Sequence, residues 1–187
     1  MKQYRNSERT KKWIRRAFME LIAEKKSLNK ITVNELAERA DITKTTFYYH
    51  YDDIYAVAEE FENELIAQLN GMIDEIMAEN PSDYSGYIQK ILAFIKENEE
   101  SYRLAVNSSD LTVFESKLKS IFSKRMVTMS MTEGFSPDYE KRAVQVCFLI
   151  SACVDTTVQY LKGELPSSLE LVGEVITEAI DKLRRKE

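Results

Sequence analysis

The eight residues from Lys44 to Tyr51 hold two threonines, three tyrosines and a histidine beside the lysine. Short hydroxyls, phenols and an ammonium group suit the phosphate oxygens and base edges of a duplex groove. β-Branched and aromatic residues are mediocre helix formers, so something other than helix stability selects them here. The same residues assemble no catalytic group. His50 is the only histidine, and it has neither a nearby second metal ligand nor a partner for acid–base work. There is no glycine-rich phosphate loop, and Cys147 and Cys153 lack a base partner. The expectation is therefore no enzyme: no catalytic residue, no metal and no cofactor.

Such side chains act only if short helices aim them. Thr32-Val33-Asn34-Glu35 matches a capping box and starts a helix over Val33 to Arg39. Ala40-Asp41-Ile42 interrupts it, and aspartate tolerates the left-handed conformation of a tight turn. Thr43 then caps a helix from Lys44 to His50. Leu36, Ala37, Ile42 and Phe47 can pack the two helices together as a helix-turn-helix, with the small Ala37 allowing close approach. Thr43, Lys44, Thr45, Thr46, Tyr48 and Tyr49 are left to face a major groove. Tyr48 and Tyr49 cannot both be buried. Upstream, Ile14, Ala17, Phe18, Leu21 and Ile22 mark an amphipathic helix from about Glu8 to Lys26, whose other face is Arg9, Lys11, Lys12, Arg15 and Arg16. Trp13 precedes that stripe and reads as a core edge.

From Ile31 to Tyr51 the chain closely resembles the TetR family of transcriptional regulators. The resemblance rests on Thr32, Leu36-Ala37, Ala40, Ile42, the threonines that open the recognition helix and Phe47-Tyr48-Tyr49-His50-Tyr51. It reaches back to Ile14-Arg15-Arg16-Ala17-Phe18, so the specific match covers about residues 8–58. It implies a homodimeric repressor released from operator DNA by a small-molecule ligand. The alternative is a TetR-like activator, or a protein-binding adaptor with little or no ligand response. The candidate DNA-contacting set is Thr32, Asn34, Thr43, Lys44, Thr45, Thr46, Tyr48, Tyr49 and His50. His50 has two readings, a packing residue that closes the recognition helix or a phosphate donor as in similar proteins. Two positions depart from the family pattern. Asp41 stands where the turn usually has glycine. Ile54 stands where the fourth helix usually supplies a lysine, with Asp52 and Asp53 before it. The lost cation removes one expected phosphate contact, although the helix N-terminus still offers N–H groups to an anion.

Charge is distributed to match. Residues 1–50 carry 12 Lys and Arg against 6 Asp and Glu, whereas residues 51–187 carry 14 against 25. A basic head on an acidic body is what local phosphate attraction requires, because charges are screened within about 10 Å at ordinary salt. Five glycines and three prolines in 187 residues favour long helices, and the periodicity predicts an all-α fold of about nine helices with no strand. One long helix runs from about Asp53 until Asn80-Pro81-Ser82 ends it. Gly134 breaks a later helix, and Ser136-Pro137 restarts it in the order cap then proline. Gly163 and Pro166 end that helix, and Ser167-Ser168-Leu169-Glu170 recaps the last.

The expected organisation is a helix-turn-helix DNA-binding domain over 1–52 and a helical ligand-binding and dimerisation domain over 53–187. In the second, Phe61, Met72, Tyr87, Phe94, Tyr102, Phe114, Met126, Met129 and Phe148 are candidates to line a cavity for a small apolar or amphipathic effector. Ala143, Cys147, Ser151 and Ala152 are small enough for close helix approach. With Val172, Val175, Ile176 and Ala179 they form the expected homodimer interface. Cys147 and Cys153 lie about 240° apart on a helix, cannot bridge within it, and read as buried thiols. No signal peptide is visible, and the apolar stretch from Ala143 to Val154 is shorter than a membrane span of roughly 18 to 20 residues. The expected location is cytoplasmic.

Overall fold

The computed structural model describes residues 2–79, 84–108, 111–130, 136 and 138–184. All regular structure among them is helical. α1 (Lys2–Lys25) leads through one 3-10 turn (Leu28–Lys30) to α2 (Val33–Arg39) and α3 (Lys44–His50). α4 (Ile54–Glu79), α5 (Tyr84–Glu97), α6 (Glu99–Ser108), α7 (Leu111–Ser130), α8 (Tyr139–Lys162) and α9 (Leu169–Arg184) follow. Nine α-helices among the described residues, with no strand, meet the all-α expectation.

The termini follow local chemistry. α1 starts at Lys2 rather than near Glu8, since Lys, Gln and Arg are good helix formers that need no apolar stripe. α8 is capped by Asp138, whose carboxylate accepts from the Lys141 N–H at 2.8 Å. Ser136, expected as the cap, instead accepts from the Asp138 N–H at 3.3 Å; a carboxylate also complements the positive end of the helix dipole. Ser168 caps α9 as anticipated, accepting from Leu171 N–H at 3.2 Å. Asn80-Pro81-Ser82, Gly134 and Pro137 lie outside the described residues. Gly163 ends α8 in the left-handed region at φ 77°, where its N–H reaches the Tyr160 carbonyl at 2.9 Å and the Glu164 N–H reaches Gln159 at 3.0 Å. A Cβ is strained there, so Gly163→Ala should lower stability by about 1 kcal/mol. Urea unfolding of the two proteins measures this; an unchanged midpoint would show that the C-cap geometry is not needed.

The chain divides into two compact units, Met1–Leu65 with Glu100–Leu111, and Ile66–Glu99 with Thr112–Glu187. α4 contributes to both, so the first unit reaches past residue 52. In it, Ile14, Phe18, Leu36, Phe47 and Tyr102 are almost wholly buried, and the Phe18 and Phe61 rings meet at 6.0 Å. Lys11 pairs with Glu60 at 2.8 Å and Arg15 pairs with Glu64, tying α1 to α4. α6 belongs here because Tyr102, Ala105 and Val106 are buried, and the Tyr102 hydroxyl donates to the Leu65 carbonyl at 3.3 Å.

In the second unit α9 packs on both α5 and α8. Gly173 permits a close approach of α5, since a Cβ there would sit 2.7 Å from Leu92 Cδ1. Arg125 of α7 donates to Asp74 and, at 2.8 Å, to Asn70, holding α7 against α4. The apolar character of α8 extends beyond Ala143 to Val154, and by length and composition alone the helix is long enough to cross a bilayer. One face of it packs within the chain: Val146, Leu149, Ile150, Val154, Val158 and Leu161 are buried, Asp155 pairs with Lys119 at 2.7 Å and the Tyr160 hydroxyl donates to Glu99 at 2.9 Å. Cys153 is half-buried rather than buried, and the burial it has pushes its thiol up to about 11. Cys147 corrects the buried-thiol reading further, because its side of α8 is exposed.

Candidate nucleic-acid interface

The capping box forms as read. The Thr32 N–H donates to Glu35 at 3.0 Å, the Glu35 N–H donates to the Thr32 hydroxyl at 3.3 Å, and that hydroxyl donates back to Glu35 at 2.8 Å. Lys25 adds a 2.5 Å bond to Glu35 and a 2.7 Å bond to the Lys30 carbonyl. Lys25 first, then the two Thr32 donors, lower the Glu35 carboxyl to about 2 from its ordinary value of 4.5. A carboxyl lowered in the folded state stabilises above its unfolded pKa and loses that contribution as pH falls through the folded value. Stability owed to Glu35 is therefore present above pH 4.5 and lost towards about 2. Glu35→Gln should be less stable at neutral pH and should lack this component of acid unfolding. Parallel acid titrations by circular dichroism that coincide for the two proteins would refute it.

Between α2 and α3 the chain turns at Asp41, which adopts φ 52°, the left-handed conformation that the turn demands. Asp41 N–H reaches Glu38 at 3.1 Å and Ile42 N–H reaches Ala37 at 2.9 Å. Thr43 caps α3, accepting from the Thr46 N–H at 3.1 Å, and the two threonine hydroxyls lie 2.9 Å apart. Their hydroxyls are therefore engaged locally, as is that of Thr32. Phe47 is wholly buried and locks the helix inward, with the Tyr51 ring at 5.9 Å. What remains outward is Lys44, Thr45, Tyr48 and Tyr49, all exposed. At 100° per residue they span an arc of roughly 140°. Both tyrosines point out, Tyr48 at 57% and Tyr49 at 75% exposure. Asn34 on α2 is exposed as well.

His50 is half-buried, edge-on to Tyr49 at 5.2 Å. Burial first, then the nearby Lys11, lower its pKa, against a smaller opposite effect of Glu60. The neutral imidazole is favoured, so packing and a single N–H donor are both open to it. Ile54 is buried, so its side chain belongs to the core and offers no phosphate contact. The anion site expected at the start of α4 is overturned: the Asp53 carboxylate accepts from the Ala56 N–H at 2.8 Å and places a negative charge there.

Trp13 is not a core edge but is 42% exposed, with the Arg9 guanidinium 4.7 Å from its ring centroid. The stripe pattern held the signal, since Trp13 falls outside the Ile14, Ala17, Phe18, Leu21 set.

The cavity candidates separate. Phe61 and Tyr102 belong to the first unit, whereas Met72, Tyr87, Phe94, Phe114, Met126 and Phe148 belong to the second. The side chain of Met129 lies outside the described residues. Tyr87, Phe114 and Met126 are buried, while Phe148 is 63% exposed and cannot line an interior cavity of the single chain. Met72 and Phe94 share a shallow groove of about 320 Å³ with Ile76 and Ala93. A larger groove of about 560 Å³, which the sequence did not signal, runs between α5 and α9 over Leu92, Ala93, Leu169, Gly173 and Thr177. Lys96 and Glu170 pair at its edge.

Among the proposed interface residues, Ala143, Cys147, Ala152, Val175 and Ala179 are exposed, and Ser151 is half-buried. Val172 and Ile176 are corrected, since both are buried within the chain. Their places on the outer face of α9 are taken by Leu171 and Val175, at 50% and 57% exposure. On α8, Tyr139, Val144 and Phe148 are exposed too.

Solved structures share this fold. A TetR transcriptional regulator from Streptococcus agalactiae 2603V matches with a TM-score of 0.73 at 20% identity, over 99% of each chain. The dihydroxyacetone kinase operon activator DhaS matches with a TM-score of 0.64 at 15% identity, over 94% of this chain and 96% of its own. Thermus thermophilus FadR, a TetR-family repressor solved in complex with lauroyl-CoA, matches with a TM-score of 0.63 at 14% identity, over 95% and 96%. No curated protein sequence matches the chain significantly. The sequence profile of the TetR-type "transcriptional regulator C-terminal region" matches residues 82–182, more than half of the chain. With an N-terminal helix-turn-helix ahead of that region, the chain belongs to the TetR family of transcriptional regulators.

Proposed function

We propose that the protein is a homodimeric, cytoplasmic repressor that holds operator DNA through α2 and α3 and releases it when a small amphipathic ligand binds. The observation that carries the DNA reading is the exposed arc Lys44, Thr45, Tyr48 and Tyr49 on α3, within a segment of net positive charge. Asn34 and His50 complete the set, while Thr32, Thr43 and Thr46 serve it by shaping the helix starts.

Two α3 helices of a dimer must meet half-sites about one DNA turn apart, roughly 34 Å or a multiple of it. The exposed apolar stripes of α8 and α9 are the proposed dimer surface. The groove between α5 and α9 is a proposed ligand seat: it is within the size range of small-molecule sites, and FadR supplies a precedent for an acyl-CoA effector. α4 is one unbroken helix shared by both units, and so is the proposed path from ligand to head. A ligand releases DNA only by preferring one head spacing, and DNA must then weaken ligand affinity by the same factor. A salt-dependent gel shift with intergenic DNA flanking the gene, repeated with acyl-CoAs and apolar amines, tests both parts. No shift at low salt would defeat the DNA reading. A shift that no compound alters would leave a regulator without ligand release.

A further inference from the structure

We propose that α1 carries a second DNA-contacting surface, formed by Arg9, Lys12 and Trp13, which grips the duplex backbone beside the segment read by α3. The inference rests on the α3 reading above and extends the footprint to a helix outside the helix-turn-helix.

Lys11 and Arg15 are engaged by Glu60 and Glu64, and Arg16 lies 3.1 Å from Glu20. Arg39 is held by Glu24 at 2.8 Å and by Glu20 at 3.5 Å. Lys12 and Arg9 are exposed, and among the described residues Lys12 has no partner while Arg9 has the Trp13 ring beneath it. At 100° per residue Arg9, Lys12 and Trp13 fall within an arc of roughly 100°. That arc lies opposite the buried Ile14, Phe18 and Ile22. The free cations and the exposed indole therefore share one outward face.

Their chemistry fits a phosphodiester backbone. A guanidinium pre-oriented by stacking keeps its donors in the ring plane, available for a bidentate bond to phosphate. Lys12 adds a point charge, and Trp13 offers an indole N–H and an apolar face suited to a deoxyribose. A large aromatic left 42% exposed gains by covering such a surface.

Trp13 lines a groove of about 320 Å³ with Arg16, Arg39, Ala40 and Asp41, which is the turn leading into α3. Three peptide steps separate Asp41 from Lys44, at most about 11 Å. A duplex strand carries a charge about every 3.4 Å along its axis. Phosphates next to those met by Lys44 thus come within reach of the α1 face.

The chain contains one tryptophan, so its emission reports on this surface alone. The test uses the full-length protein and a duplex recovered by it from a randomised pool, with random-sequence duplex as the second probe. Trp13 emission should change on binding either duplex. Arg9→Ala/Lys12→Ala should weaken both probes alike, and the slope of log affinity against log salt should fall in magnitude by about 1.8 for two lost phosphate contacts. Lys44→Ala, by contrast, should leave the emission change in place at saturating DNA. Wild-type binding with unmoved emission and an unchanged slope in the folded double variant would overturn the proposal while leaving α3 intact. Recovery of no duplex at all would overturn the α3 reading and this one together.

Discussion

A Val175→Glu protein is expected to sediment as a folded monomer, whereas Ile176→Glu is expected not to fold. The two residues are neighbours in sequence, yet Val175 is 57% exposed and Ile176 7%. One turns to the outer face of α9, the other into the core of its own chain. At Val175 a carboxylate meets water in the monomer, and only a second copy would bury it. The loss falls on association, because Val175 belongs to the proposed dimer surface with Val144, Phe148 and Leu171, each of them exposed in the single chain. At Ile176 the carboxylate is buried without a partner, at about 3 to 5 kcal/mol for an uncompensated charge. That is comparable to the whole stability of a domain at the low end of the usual range of about 5 to 15 kcal/mol. Sedimentation and circular dichroism at micromolar protein decide the matter. A wild-type monomer, or a Val175→Glu dimer as tight as wild type, would remove this face as the dimer surface.

On DNA, Lys44→Ala and Tyr48→Ala should both weaken operator binding by about 1 kcal/mol or more, roughly fivefold at the lower bound. They should do so differently. Lys44 brings a charge, so its removal should lower the salt slope by about 1 and weaken operator and random DNA together if it meets phosphate. Tyr48 carries no charge, and its phenol is exposed at the centre of the outward arc of α3. Removing it should leave the salt slope unchanged and reduce the preference for operator over random sequence. Both variants should fold, since Lys44 and Tyr48 are exposed and the Tyr48 ring meets only the outer edge of the buried Phe47, at 5.5 Å. Gel shifts across a salt series measure all of this. Unchanged operator affinity in both folded variants would rule out α3 as the reading helix.

Much of this protein is legible without coordinates where the cause is local. Helix starts at Thr32, Thr43 and Ser168 follow from a side chain reaching an N–H three residues on, and the turn at Asp41 and the stop at Gly163 from backbone sterics. The inward facing of Phe47, Leu36 and Ile14 follows from helical periodicity, as does the outward arc of α3. Sequence spacing decides these because each involves residues within one or two turns of each other. Tertiary structure alone decided the rest. α9 is apolar at Leu171, Val172, Val175 and Ile176, and spacing cannot say which pair turns inward. The packing of α9 on α5 and α8 settles it, sending Val172 and Ile176 to the core. Lys11, Lys12, Arg15 and Arg16 look alike as a basic face until Glu60 and Glu64, some fifty positions away, engage two of them. Phe61 and Phe148 have equal claims to a cavity by type, yet one is buried and the other exposed, because burial depends on which neighbours the fold brings. Type and periodicity state what a side chain can do; contacts between residues distant in sequence determine which of those things it does.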